Sequence, residues 1–165
     1  MGSTEPWKGL ERERACDYPR PPALVASEAL VEVRALGERL AESRRSLRVL
    51  ETFHPPTHYL PPEDVRLELL QPAAGRSFCE WKGLAHYYDV VVGERRIERA
   101  VWSYPQPTPA FAALAGWFAV YPALMDGCWL DGEAVIPQPG GFYGGWITSC
   151  VQGPFKGDPA HPELI

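Results

Sequence analysis

The chemically densest run in the sequence is Ser77-Phe78-Cys79-Glu80-Trp81-Lys82-Gly83, which puts a thiol and an amine three residues apart. An ammonium close to a thiol lowers its pKa and makes thiolate available near neutrality, so Cys79 or Lys82 is a candidate nucleophile. Ordinary structure competes with that chemistry. Free cysteine is among the most buried residue types, and Lys82 can equally close a salt bridge with Glu51 or Glu80. Composition tilts attention toward lysine, because the basic residues are 13 Arg against 3 Lys and Asn is absent. Ammonium and guanidinium are not interchangeable, so each lysine in such a background is a functional candidate. Lys8, Lys82 and Lys156 each sit between an aromatic residue and a glycine.

A second group is Glu51, His54 and His58, with Glu63 and Asp64 close by. Four-residue spacing brings two imidazoles together on a helix, but Pro55 and Pro56 forbid one here, so no metal site is expected. His54 is the better candidate for a general base, since imidazole titrates near neutrality. Trp81, Tyr87, Trp102, Tyr104 and Trp146 are large rings on strands or at loop edges. Such rings line pockets for planar or cationic ligands, although in a small β domain they also make the core. Tyr87 and Tyr88 must point to opposite faces of their strand, so one of them is free to face a cavity. The run Gly140 to Gly145 lacks the lysine and the strand-to-helix context of a phosphate loop and reads as a tight connection anchored by aromatic residues. No Ser-His-Asp set or dinucleotide fingerprint is present.

These residues need strands to hold them. Val31, Val33 and Ala35 alternate with Glu32 and Arg34, the period-two pattern of a strand with one buried face. A turn at Gly37 and Glu38 returns the chain toward Ser46 to Glu51, where Leu47 and Val49 share a face. Residues 53–62 contain four prolines and read as an irregular crossing, and Glu63 to Leu70 fits a short helix or a strand equally. Ala85 to Val92 and Arg95 to Tyr104 form a hairpin around Gly93. One helix is expected over Pro109 to Val120, with Thr108 as N-cap and Pro122 as its stop. Asp131-Gly132 is a two-residue hairpin turn. GERLAES at Gly37 echoes GERRIER at Gly93, which suggests two related hairpins. Short strands with a single short helix indicate an all-β fold of two packed or angled sheets.

The 165 residues suit one domain that buries roughly 70% of its unfolded surface. Residues 1–22 read as an N-terminal extension packing by Trp7 and Tyr18, residues 23–155 as the domain, and residues 156–165 as a loosely held tail. A net charge of −5 with interspersed signs gives no basic stripe, so nucleic acid is not an expected partner. No apolar run reaches the roughly 18 residues that span a bilayer, and the start lacks an apolar leader, so no membrane is expected and the protein reads as cytoplasmic. Four scattered cysteines without a C-x-x-C pair read as free thiols.

The runs ETFHPPTHYLPPEDV (Glu51 to Val65), SFCEWKGLAHYYDV (Ser77 to Val90), AVWSYPQPTPAF (Ala100 to Phe111) and DGEAVIPQPGGFYGGWIT (Asp131 to Thr148) resemble a bacterial family, domain-of-unknown-function family 427. The resemblance covers about residues 20–155. It implies a β-tent-like fold of two angled antiparallel sheets, shared with methionine-R-sulfoxide reductases and the thalidomide-binding domain of cereblon, which hold small ligands between the sheets. Family positions carried over are Glu51, Tyr59, Asp64, Cys79, Lys82, Gly83, Tyr87, Trp102 and Tyr104. Family members commonly have Thr-x-Cys-Pro before the lysine, where this chain has Ser77 and Glu80. The paired C-x-x-C zinc ligands of many β-tent proteins are missing, so neither zinc nor another cofactor is expected. The family also carries a nucleotidyltransferase label, but no paired aspartates with a Gly-Ser motif support it.

Pocket-lining types are numerous and no complete catalytic set assembles, so the leading expectation is a small-molecule binding module with Glu51 and Lys82 as polar anchors. An enzyme using Cys79 or Lys82 as nucleophile, with His54 or Glu51 moving protons, and a protein-interaction scaffold are the alternatives. The ligand, the oligomeric state and the pathway are not legible in the sequence.

Overall fold

Alternation and turn chemistry set the strands. The computed structural model describes residues 5–8, 10–141 and 143–164. In chain order its strands are β1 Glu13–Arg14, β2 Ala23–Ala26, β3 Val31–Ala35, β4 Glu38–Ser43, β5 Leu47–Leu50, β6 Thr57–Tyr59, β7 Leu70–Cys79 and β8 Gly83–Val92. They continue with β9 Arg95–Ser103, β10 Phe118–Val120, β11 Gly127–Leu130, β12 Glu133–Ala134, β13 Ile136–Pro137, β14 Trp146–Ile147 and β15 Val151–Gln152. Val31, Val33 and Ala35 are fully buried, and their polar neighbours are not. Leu36-Gly37 and Asp131-Gly132 turn their hairpins with positive φ at both central residues (50° and 78°, 49° and 81°), as two-residue turns between twisted strands require.

The fold is all-β. A four-stranded antiparallel sheet in the order β12-β11-β3-β4 faces a longer one in the order β10-β9-β8-β7, and a third sheet runs β2-β5-β6. Leu60 and Phe118 exchange both backbone hydrogen bonds, at 2.8 and 2.9 Å, so the third sheet and the longer sheet join into one bent surface. Successive residues on that surface face opposite ways. Leu60, Val101, Val120 and Tyr88 pack with Val31, Val33 and Leu40 in the larger core, while Tyr59, Trp102, Ala119 and Tyr87 belong to a second cluster on the other face.

Three segments differ from their sequence reading. A helix does start at Pro109, but it is a kinked 3-10 turn ending at Leu114, and Phe118–Val120 is strand β10 against β9. Thr108 is its N-cap residue, with its carbonyl accepting from the Phe111 N–H at 2.9 Å, but its side chain does not cap: the hydroxyl donates to the Trp81 carbonyl at 2.5 Å and the N–H to the Lys82 carbonyl at 3.0 Å. Gly116, at φ 74°, then turns the chain into the edge of the sheet, where the ladder outweighs helical propensity. The proline-rich 53–62 crossing contains β6, since Thr57-His58-Tyr59 lies between two proline pairs and its own N–H groups remain available to β5. Strand β7 left no apolar alternation to find, because it is an edge strand exposed at most positions and bulged between Pro72 and Arg76.

The two GER stretches form analogous hairpins in different sheets, and Arg95 Nη2 of one donates to the Leu36 carbonyl of the other at 2.8 Å. Residues before Ala23 pack by Trp7, Ala15 and Tyr18 against Leu50 and Val151, and β1 pairs in parallel with β15. After Gly153 the chain is fixed where Lys156 N–H donates to the Phe53 carbonyl at 2.7 Å. Among the described residues no helix is long and apolar enough to cross a membrane.

His58 lies in this scaffold at 1% exposure, with Nδ1 3.0 Å from the Ser46 hydroxyl and its ring 4.8 Å from that of Trp146. Burial, aided by Arg48, lowers its pKa to about 3, so the imidazole folds neutral. A folded pKa below the unfolded one contributes stability that is present above about pH 6.5 and lost as pH falls toward 3. Denaturant unfolding of the wild type and His58→Gln across pH 6 to 4 should show the wild-type advantage shrinking by about 1.4 kcal/mol per pH unit. A pH-independent difference would mean that His58 does not fold as the neutral form.

Candidate functional site

On the concave face of the bent sheet lies a cavity of about 350 Å³. Glu51, His54, Tyr59, Cys79, Trp81, Lys82, Tyr87, Trp102 and Tyr104 all line it, so most of the sequence candidates share one space. Two other sequence candidates lie elsewhere. Asp64 accepts hydrogen bonds from Ser43 and Arg45 at the far edge of β4, and Trp146 is buried in the larger core. The structure adds Tyr121, Gln138, Tyr143, Gly144 and Lys156 to the lining. Of these only Lys156 carried a signal in the sequence, as one of three lysines.

The floor is a ring assembly. Trp102 Nε1 donates to the Tyr59 hydroxyl at 3.1 Å, and Trp102 sits edge-on to Tyr59 and tilted against Tyr121, with centroids 6.2 and 4.5 Å apart. Burial pushes the Tyr59, Tyr104 and Tyr121 phenols well above their ordinary range, so all three stay protonated and present hydroxyl donors. Tyr87 exchanges a hydrogen bond with Ser77 across the hairpin at 2.6 Å, and the Arg99 guanidinium covers its ring at 4.1 Å.

One side wall is the turn between β7 and β8. Its carbonyls at Trp81 and Lys82 are held by Thr108, and Gly83 takes φ 109°, where a side chain would strain the backbone. Lys82 does not pair with Glu51 or Glu80. Its Nζ lies 5.8 Å from the Tyr104 ring centroid and 6.0 Å from that of Phe111, and it makes no ion pair among the described residues. Cys79 is half-buried in the same wall, and all four cysteines are free.

The facing wall is built by Gln138, which is 4% exposed. Its Oε1 accepts the Gly145 N–H at 3.2 Å, while Nε2 donates to the Lys156 carbonyl at 2.8 Å and to His54 Nδ1 at 3.0 Å. That fixes the amide orientation and with it the histidine tautomer: Nδ1 is the acceptor, so Nε2 carries the proton and faces Glu51 Oε2 at 3.8 Å. Burial, with a smaller push from Lys156, lowers the His54 pKa and keeps the ring neutral. The single imidazole lone pair is therefore engaged, and Glu51 Oε2 lies 3.8 Å from His54 Nε2 and 3.9 Å from Arg20 Nε.

Among the described residues no group of three or more His, Cys, Asp or Glu side chains could hold a metal ion. Gln138→Leu removes three hydrogen bonds from buried partners at nearly constant volume. It should lower unfolding free energy by roughly 2–4 kcal/mol in a denaturant titration; a change below about 0.5 kcal/mol would mean that the clamp does not exist in solution.

No curated protein matches the chain. The sequence profile of the family described as a domain of unknown function (DUF427) matches residues 23–131, well over half of the chain, and the protein belongs to that family.

Proposed function

We propose that this protein is a binding module for a small planar molecule held in the aromatic cavity. The observation that carries this reading is convergence: residues from several separate stretches, chosen for their type or their family position, line one space whose size and ring content suit a drug-sized ligand. The rings would supply stacking area, and the hydroxyls and charged groups would fix orientation. The enzyme alternative keeps the Cys79 thiol and the Glu51 carboxylate in one cavity, but its other candidate base, His54, has its lone pair engaged by Gln138. Free cysteines throughout support a cytoplasmic, reducing location.

A thermal-shift screen of charged and neutral aromatic compounds tests the proposal. A compound at a hundred times its Kd adds about 2.7 kcal/mol and raises Tm by several degrees, and Trp81→Ala should abolish most of that shift. The same compound should slow iodoacetamide alkylation of Cys79 and leave exposed Cys16 and Cys150 unaffected. Buried Cys128, whose thiol is pushed up to about 12 by desolvation, should remain unreactive in either state. A stabilising compound that leaves the Cys79 rate unchanged binds elsewhere, and the cavity reading then fails.

A further inference from the structure

The two ammonium groups at the cavity wall have no counter-charge. Lys82 and Lys156 come from different walls, each lies beside a ring, and neither forms an ion pair with any described residue. Lys156 is positioned by its backbone, since its N–H donates to the Phe53 carbonyl at 2.7 Å and its carbonyl accepts from Gln138. Its Nζ lies 5.9 Å from the Tyr143 ring centroid. Two carboxylates also line the space. Glu51 is compensated by Arg20 and by the Nε2–H of His54, and Glu80 is exposed at the turn.

Donors dominate the polar inventory. Beside the two ammonium groups stand the protonated hydroxyls of Tyr104 and Tyr121, which are hydrogen-bonded to Tyr59 and Tyr87, so the ammonium groups are the donors left for a guest. The main buried acceptors are already engaged, Gln138 Oε1 by Gly145 and the Tyr59 oxygen by Trp102. A neutral or cationic guest would leave two half-buried amines partly desolvated without a partner, which is unfavourable, whereas an anion satisfies them. The lining carries two ammonium groups and two carboxylates, and what distinguishes the lysines is that both are half-buried and without an ion pair among the described residues, whereas Glu51 lies near Arg20 and Glu80 is exposed.

We infer that the cavity binds a flat organic anion, with an aromatic body against the half-buried Trp81 and Tyr87 rings of the lining and a carboxylate or phosphate group held by Lys82 and Lys156. This rests on the cavity-binding reading above and names the class of ligand it takes. Lys82 and Lys156 are the residues that select the charge, and Glu80 opposes it from the rim.

Titration calorimetry on the full-length chain with 2-naphthoate, 2-naphthyl phosphate and neutral 2-naphthamide tests it, since the three share one ring system. The anions should bind at least about tenfold more tightly than the amide, as expected for charge-assisted hydrogen bonds, and the tighter of the two anions identifies the head group. Lys82→Met and Lys156→Met keep the aliphatic stems and should each reduce anion affinity about tenfold while leaving the amide unchanged; Glu80→Gln should strengthen the anions by a few-fold. If the amide binds as tightly as the anions, the anion inference is overturned and the cavity reading survives. If none of the three binds and none protects Cys79 from alkylation, both are overturned. Should a lysine variant fail to fold, the wild-type comparison of anion with amide still decides the question.

Discussion

The site depends on the hydrogen-bonded join between Leu60 and Phe118, which turns two sheets into one bent surface with two unlike faces. Side chains alternate across that surface, so every pair of neighbours is divided: Tyr59 from Leu60, Trp102 from Val101, Tyr87 from Tyr88, Ala119 from Val120. One member of each pair is spent on the core that keeps the domain folded. The other is released to the concave face. A one-residue slip in register would exchange the two sets, driving Trp102 and Tyr59 into the core and leaving aliphatic side chains in the hollow. Site and fold are thus specified by the same pairing.

A hollow lined by polar rings is costly unless its polar atoms find partners. Here many of them serve one another. The Trp102 indole is satisfied by Tyr59, Tyr87 by Ser77, and Gln138 uses its carbonyl oxygen and both amide protons on three chain segments. This network explains how the cavity stays open without collapse of its walls, and it separates the structural polar groups from the available ones. The charged groups of the lining without an ion pair among the described residues are the half-buried Lys82 and Lys156 ammonium groups and, at the exposed turn, the Glu80 carboxylate.

The sequence made the framework legible wherever one physical rule acted alone. Val31 to Ala35 alternates over a single buried face, Asp131-Gly132 supplies the torsions of a tight hairpin turn, and the ordered motifs from Glu51 to Thr148 carry the family. It was misleading where two rules competed. Thr108 followed by Pro109 reads as a helix start, yet the threonine hydroxyl goes to the Trp81 carbonyl and the segment yields to strand after Gly116. Pro55-Pro56 and Pro61-Pro62 read as an irregular crossing, but Thr57–Tyr59 between them completes a sheet. Strand β7 had no pattern because an exposed edge buries neither face. In the site, residues with distinctive chemistry were recognisable by type. Gln138 was not, since an amide in a proline-rich stretch reveals nothing until its partners, from residues 54, 145 and 156, are assembled around it.

The glycines of 140–145 show how the last wall is made and why it differs in character from the floor. A Cβ at Gly144 would stand 2.3 Å from Trp102 Cη2, and one at Gly145 would meet both Gln138 Oε1 and Pro55 Cγ at 2.5 Å. Bare backbone therefore lies directly on the indole, and the entropic cost of glycine is offset by the Gln138 hydrogen bonds. The floor rings, Cys79 and Lys82 fall within the family-matched residues 23–131, whereas Gln138, Tyr143, Gly144 and Lys156 lie beyond them. The two lysines consequently sit on opposite sides of that boundary. The matched span supplies the ring floor and one ammonium group, while the closing segment, held by the buried Gln138 amide and by the Lys156 N–H on the Phe53 carbonyl, supplies the second.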